Sequence, residues 1–173
     1  EDGSFTFRQV QDFLDRKNPF VSISADLRDQ QKRWQVLFDG EDIACDVYGV
    51  SIPKKDSAYG RLIIVPKGLV IGDMIDILNI PVAVKVHTDD LEEEVVTSLR
   101  TNDDKSYAVW VKEQVEADDF IAENETGIDL LEMLLYFWVY HTETDKHLDV
   151  DRLTYCTGSM LESDRSVPSV YWE

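Results

Sequence analysis

The spacing of apolar residues along the chain predicts helices and strands in an irregular order. Helical spacing predicts amphipathic helices over residues 6–17, 70–78 and 89–100. The most apolar segment, residues 127–141, has apolar side chains around most of the circumference of a helix, with Thr126 as its N-cap. A helix of that composition must be largely buried, so we expect it at the centre of the core.

Runs of β-branched and aromatic residues predict the strands. Residues 34–38 and 43–52 flank a turn that contains Gly40, and they predict a hairpin. The polar stretch over residues 26–32 is compatible with either an exposed helix or a loop. Residues 158–166 predict a polar loop between two closing strands. The other predicted strands cover residues 61–65, 82–86, 107–111, 153–157 and 167–172.

Strands and helices in this order favour an α+β fold over a regular alternation. We expect a mixed, mainly antiparallel sheet packed against the apolar helix of residues 127–141 and against two or three amphipathic helices. Size scaling lets a chain of 173 residues bury about 70% of its unfolded surface, which is enough for a core without metals or disulfides. The prediction is one α+β domain over residues 1–173, with residues 1–42 considered as an N-terminal helical appendage.

The chain carries 35 acidic and 17 basic residues, for a formal net charge of −18. The excess is uneven, because residues 87–173 contribute −16 of that total. Nucleic acid and anionic membrane surfaces are poor partners for such a protein, since both require a positive patch. The longest apolar run, residues 130–140, contains Glu132 and is well short of the roughly 20 residues that cross a bilayer. The composition predicts a soluble protein whose acidic half can attract a basic partner.

Cys45 and Cys156 lie far apart in the sequence and have strand-like neighbours. Two such thiols do not form a disulfide framework, so we expect buried, reduced cysteines and a cytoplasmic location. The chain begins at Glu1 rather than at methionine, and we expect that its N-terminus has been trimmed or processed.

Six short segments carry a resemblance to known sequences: residues 48–54 (YGVSIPK), 60–68 (GRLIIVPKG), 115–118 (VEAD), 130–136 (LLEMLLY), 142–151 (TETDKHLDVD) and 167–172 (VPSVYW). Together they resemble a family of small, uncharacterised bacterial proteins. The resemblance covers about residues 43–173 and implies no activity, fold or site residues. Residues 1–42 do not match the family pattern, and that pattern continues beyond the position of Trp172.

The most suggestive chemistry follows the apolar helix. Imidazole and carboxylate groups alternate there at every second position, in His141, Glu143, Asp145, His147, Asp149 and Asp151. In an extended chain these side chains project to one side, and their nitrogen and oxygen atoms suit a divalent cation. The strict calcium-loop pattern is not met, because Val150 stands where that pattern requires glycine. The alternative is a solvated connection whose aspartates cap turns.

Two further groups are candidates for catalysis. Glu132 and Asp129 form a carboxylate pair, and burial would raise the pKa of one of them, which suits general acid–base chemistry. Alternatively, both mark the one solvent-facing edge of the apolar helix. Cys156 precedes a turn with Gly158, where backbone N–H groups could hold an anion and activate the thiol. Alternatively, Cys156 is a buried structural residue.

More than one class of function stays open. We favour an interaction protein, such as an antidote, inhibitor or adaptor, that engages a basic surface through its acidic second half. The acidic residues best suited to that contact are Asp89, Asp90, Glu92, Glu93, Glu94, Asp118 and Asp119. The alternative is an enzyme that uses residues 141–151 with a divalent cation as cofactor, or the Glu132 carboxylate, or the Cys156 thiol. A structural or scaffolding role is the third hypothesis.

Overall fold

Helices and short antiparallel strands together form the described part of the protein. The computed structural model describes residues 7–14, 25–38, 43, 45–55, 60–79, 85, 96–112, 127–148 and 153–171. Its helices are α1 (Phe7–Leu14), α2 (Ala25–Leu37), α3 (Ile71–Leu78) and α4 (Leu130–Thr144). Its strands are β1 (Arg61–Val65), β2 (Val96–Ser98), β3 (Tyr107–Val111), β4 (Leu153–Tyr155), β5 (Ser159–Leu161) and β6 (Ser169–Tyr171). The α+β prediction is confirmed.

The core is organised around α4. Every residue of this helix from Leu130 to Val139 is buried, as its apolar sequence predicts. The Trp138 ring packs against Trp34 and Phe38, with ring centroids 6.4 and 5.1 Å away. Since Trp34 lies on α2 and Phe38 directly follows it, α2 contributes to the core. The stretch over residues 26–32, which the sequence left undecided between a helix and a loop, lies within α2 and is helical.

Helix α1 lies within the helix predicted over residues 6–17. Its apolar side chains are exposed rather than buried in the core: Phe7, Val10, Phe13 and Leu14. The helical appendage over residues 1–42 stays a prediction. None of the helices in the described ranges has the length and apolar content that crossing a bilayer requires.

Strands β1 and β3 pair along their whole length and lie against α4. Opposite residues of an antiparallel pair point to the same face, and the register places Arg61 opposite Val111 and Val65 opposite Tyr107. Arg61 contacts Glu143 near the C-terminal end of α4, whereas Tyr107 contacts Glu132 in its first turn. Strand β1 therefore runs antiparallel to α4, and one face of this sheet covers the helix.

Several predicted elements differ from the structure. The predicted hairpin of residues 34–38 and 43–52 is wrong, because residues 34–37 are helical and the described part of 43–52 contains no strand. The predicted helix over residues 89–100 is wrong at its end, where β2 pairs with β5 instead. The predicted loop over residues 158–166 is also wrong in part, because residues 159–161 form β5. The strand predicted over residues 82–86 lies largely outside the described residues.

Candidate functional site

Helix α4 begins in a network of polar residues, which we call the α4 junction: Arg100, Tyr107, Asp129, Glu132 and Ser159. The N-cap of the helix is Asp129. Its Oδ1 accepts the Glu132 backbone N–H at 2.8 Å, and the Glu132 carboxylate accepts the Asp129 backbone N–H at 3.0 Å. This reciprocal capping satisfies N–H groups that a helix start leaves without partners. The helix therefore begins at Leu130 rather than at residue 127.

A guanidinium group compensates the charge of Glu132. Arg100 follows β2, and its Nε and Nη2 donate to the two oxygens of Glu132 at 2.5 and 2.7 Å. Nη2 also donates to the Gly127 carbonyl at 2.6 Å. Glu132 is 0% exposed, whereas the Arg100 side chain is 23% exposed. This bidentate pair allows a full carboxylate to sit inside an apolar helix, because a buried charge requires an opposite charge and hydrogen bonds.

Tyr107 approaches the same carboxyl groups from β3. Its hydroxyl lies 3.0 Å from Glu132 and 3.3 Å from Asp129. Burial, with the charges of Glu132 and Asp129, raises the pKa of Tyr107. Burial alone would lower the pKa of Arg100, but the hydrogen bond and charge of Glu132 raise it. Burial, followed by the charge of Glu132, raises the pKa of Asp129 to about 6.

The β2–β5 sheet also contacts the α4 junction, through Ser159. Ser159 Oγ accepts the Leu130 backbone N–H at 2.9 Å and lies 3.2 Å from Ser98 Oγ on the paired strand. The Gly158 N–H donates to the Ile128 carbonyl at 2.8 Å. These bonds hold the start of α4 and the residues just before it against Gly158 and Ser159.

The segment that carries Arg100 also holds the turn between β1 and α3. Asn102 Nδ2 donates to the carbonyls of Pro66 and Leu69 at 2.7 and 2.8 Å. Ser106 Oγ accepts the Lys67 backbone N–H at 3.0 Å. Residues 100–107 therefore connect the start of α4 to the β1–α3 turn.

The interpretation of Asp129 and Glu132 as a solvent-facing edge is wrong. They are 1% and 0% exposed, and Tyr136, which lies one turn after Glu132 on α4, is also buried. Because both Glu132 oxygens accept hydrogen bonds, this carboxylate is placed to hold α4 rather than to exchange a proton with a substrate. Its role as a catalytic residue stays a hypothesis without geometric support.

The described members of the proposed metal cluster do not converge on one point. Residues 141–144 belong to α4, so alternate side chains do not share a side. Glu143 binds Arg33 at 2.6 Å and also binds Arg61. Asp145 is the exposed C-cap of α4, in a left-handed conformation with φ of 55°.

The two histidines of that cluster do meet. Their rings stack with centroids 5.0 Å apart, and His147 also stacks on Phe137. Within the described ranges, no group of three or more His, Cys, Asp or Glu residues is arranged to hold a metal ion. Asp149 and Asp151 lie outside the described residues.

Cys156 occupies a structural position. The residue is 0% exposed, and its backbone carbonyl accepts the Ser159 N–H. The N–H groups of Gly158 and Ser159 already donate within the protein. A role for the Cys156 thiol in catalysis stays a hypothesis. Cys45 is also buried, and burial, followed by the charge of Asp46, raises the pKa of its thiol to about 12.

All the acidic residues suggested for partner binding lie outside the described residues: Asp89, Asp90, Glu92, Glu93, Glu94, Asp118 and Asp119. Arg100 and Tyr107, which complete the junction, have no local signal in the sequence. The one indication is Glu132 itself, because a carboxylate in an apolar helix requires a cation.

The described part of the chain defines an α+β protein with a buried carboxylate network at the start of its central helix. No protein-family model, curated protein or solved structure matches the chain.

Proposed function

We propose that the protein is an interaction protein that engages a basic partner through the acidic surface of its second half. The observation that carries this proposal is the −16 net charge of residues 87–173. A field of one sign speeds the encounter with an oppositely charged partner and selects against others.

The described ion pairs leave much of this charge uncompensated. Of the acidic residues described in the second half, Glu143 pairs with arginines of the first half, and Glu132 pairs with Arg100. The exposed acidic residues in the described part of the second half that lie outside those pairs are Asp103, Asp104, Asp145, Glu162 and Asp164. Acidic side chains that remain in water can attract a partner without first breaking an internal pair.

The β2–β5 register supports a location for the contact. Val96 lies opposite Leu161, so the chain enters β2 at the end of the sheet where β5 leaves toward Glu162 and Asp164. The acidic run of residues 92–94 comes two residues before β2 in the sequence. We place the centre of the contact surface at this end of the sheet, although Arg165 adds one cation to the same turn.

A cytoplasmic location belongs to the same proposal. Both cysteines are free and buried, which suits a reducing compartment.

The test is affinity capture with the tagged full chain, followed by measurement of the affinity for the captured protein at low and high salt. We expect a basic partner that binds less tightly as salt rises. Glu162→Gln/Asp164→Asn should weaken binding about fivefold, because it removes two exposed charges from the proposed surface.

The matched control is Asp103→Asn/Asp104→Asn, which removes the same charge from the loop that follows β2 at its other end. We expect this pair to retain most of the affinity. An affinity that does not respond to salt, or an equal loss in both variants, would refute the proposed surface.

A further inference from the structure

The α4 junction contains two buried carboxyl groups but one guanidinium group. Arg100 places both of its contacting nitrogens on Glu132. Asp129, which is 1% exposed, instead accepts the Glu132 backbone N–H. Burial disfavours the ionised form of a carboxyl group that lacks its own cation, so the neutral acid is favoured at Asp129.

The hydroxyl of Tyr107 gives a second, independent reason for a proton on Asp129. It lies 3.3 Å from Asp129 Oδ2 and 3.0 Å from Glu132 Oε1. A phenol has one proton and cannot donate fully to two ionised carboxylates. If Oδ2 carries a proton, Asp129 donates to Tyr107 and Tyr107 donates to Glu132, so both short contacts contain a hydrogen.

We propose that Asp129 is a proton-binding site of the folded protein, and that uptake of this proton tightens the α4 junction in mildly acidic solution. The proton moves from solvent to Oδ2 of Asp129, and both hydrogen bonds of the side chain, to the Glu132 backbone N–H and to the Tyr107 hydroxyl, then contain a hydrogen. Release of the proton leaves one Tyr107 contact without a hydrogen and adds an uncompensated charge to the core.

The raised pKa of Asp129, about 6 against an ordinary 3.8, agrees with this geometry. The charged and titratable groups that face it are Glu132 from α4, Arg100 from the segment after β2 and Tyr107 from β3. The charge of Glu132 raises the Asp129 pKa, whereas the hydrogen bond from the Glu132 backbone N–H, the charge of Arg100 and the hydrogen bond with Tyr107 lower it. Arg100 and Tyr107 have raised pKa values, so neither loses its proton in this range.

The sign of the effect follows from linkage. A carboxyl group whose pKa is higher in the folded state binds its proton more tightly there, so protonation stabilises the fold. This contribution is fully present below the unfolded pKa of 3.8 and is lost as the pH rises through about 6. A carboxylate in an ordinary surface ion pair has the opposite dependence.

The experiment compares urea unfolding of the full chain with that of Asp129→Asn and Asp103→Asn from about pH 4 to about pH 7. Asparagine can accept the Glu132 N–H and donate to Tyr107, so it imitates the protonated acid without titrating. Asp103→Asn removes the same formal charge from an exposed position. Relative to Asp129→Asn, the unfolding constants of the other two proteins should rise with pH, by up to about tenfold per pH unit for one proton.

Parallel pH profiles for all three proteins would overturn the proposal. Should Asp129→Asn fail to fold, the carboxyl-carbon NMR signal of Asp129 in the unmodified protein decides the question. We expect it to titrate near pH 6. A signal already ionised at pH 5 would refute the proton site.

Discussion

The backbone crossing between Gly127 and Gly158 should tolerate no side chain at Gly158. A Cβ atom there would lie 2.5 Å from the Gly127 carbonyl oxygen and 2.9 Å from both Asp129 N and Ile128 C. All three atoms belong to the backbone that leads into α4, so no flexible side chain can move away. Gly158→Ala must therefore separate the two segments.

Two contributions determine the loss of stability in Gly158→Ala: overpacking and the loss of a backbone hydrogen bond. Overpacking costs roughly 1–3 kcal/mol. The Gly158 N–H donates to Ile128 and its carbonyl accepts the Leu99 N–H. Loss of one of these bonds adds about 1 kcal/mol, so we expect Gly158→Ala to lower the free energy of unfolding by about 2–4 kcal/mol.

Gly72 provides a matched control for the added methyl group. It lies in α3, and a Cβ atom there would meet nothing within 4 Å. Because alanine is the better helix former, Gly72→Ala should stabilise the protein by about 0.5–1 kcal/mol. Urea unfolding of both variants at one pH measures the difference. A Gly158→Ala variant as stable as the unmodified protein would show that the two segments do not cross at this distance.

Two further predictions concern buried charge and buried thiols. Arg100→Met should destabilise the protein by about 3–5 kcal/mol because it leaves Glu132 buried without a cation, whereas Arg33→Met, at a half-exposed ion pair, should cost at most about 1 kcal/mol. Equal losses in urea unfolding would contradict the burial of the first pair. Cys45 and Cys156 should resist a thiol reagent at pH 8 in the folded protein, since both are buried and the Cys45 pKa is about 12, and both should react after unfolding. Rapid modification of either thiol before unfolding would refute this.

The elements predicted well from the sequence are those whose local pattern agrees with their environment. Strand β1 has a short β-branched run, and helices α3 and α4 have helical spacings of apolar residues, and each agrees with the element observed. Residues 34–38 mislead because Trp34 and Phe38 are aromatic, which is typical of strands, although their spacing of four also suits a helix. Their contact with Trp138, a hundred positions away in the sequence, favours the helix.

The sequence predicts only the two carboxyl groups of the α4 junction, because its other members come from distant parts of the chain. Asp129 and Glu132 stand three residues apart, so the sequence indicates a carboxyl pair at the start of an apolar helix. Their burial depends on Arg100 and Tyr107, which come from two different strand ends. Tertiary pairing of β2 with β5 brings Arg100 to the helix, and no local pattern records that pairing.

The acidic surface and the Asp129 proton site should both make the folded protein more stable as the pH falls. Their dependence on salt concentration differs, so salt distinguishes the two effects. Acid reduces the repulsion among the exposed carboxylates of a chain with a charge of −18, and it also protonates Asp129. Mobile ions screen exposed charges over about 8 Å at physiological ionic strength, but they screen a residue that is 1% exposed much less. The pH dependence of stability that persists at high salt therefore belongs to the α4 junction. Any binding that disappears at high salt belongs to the acidic surface.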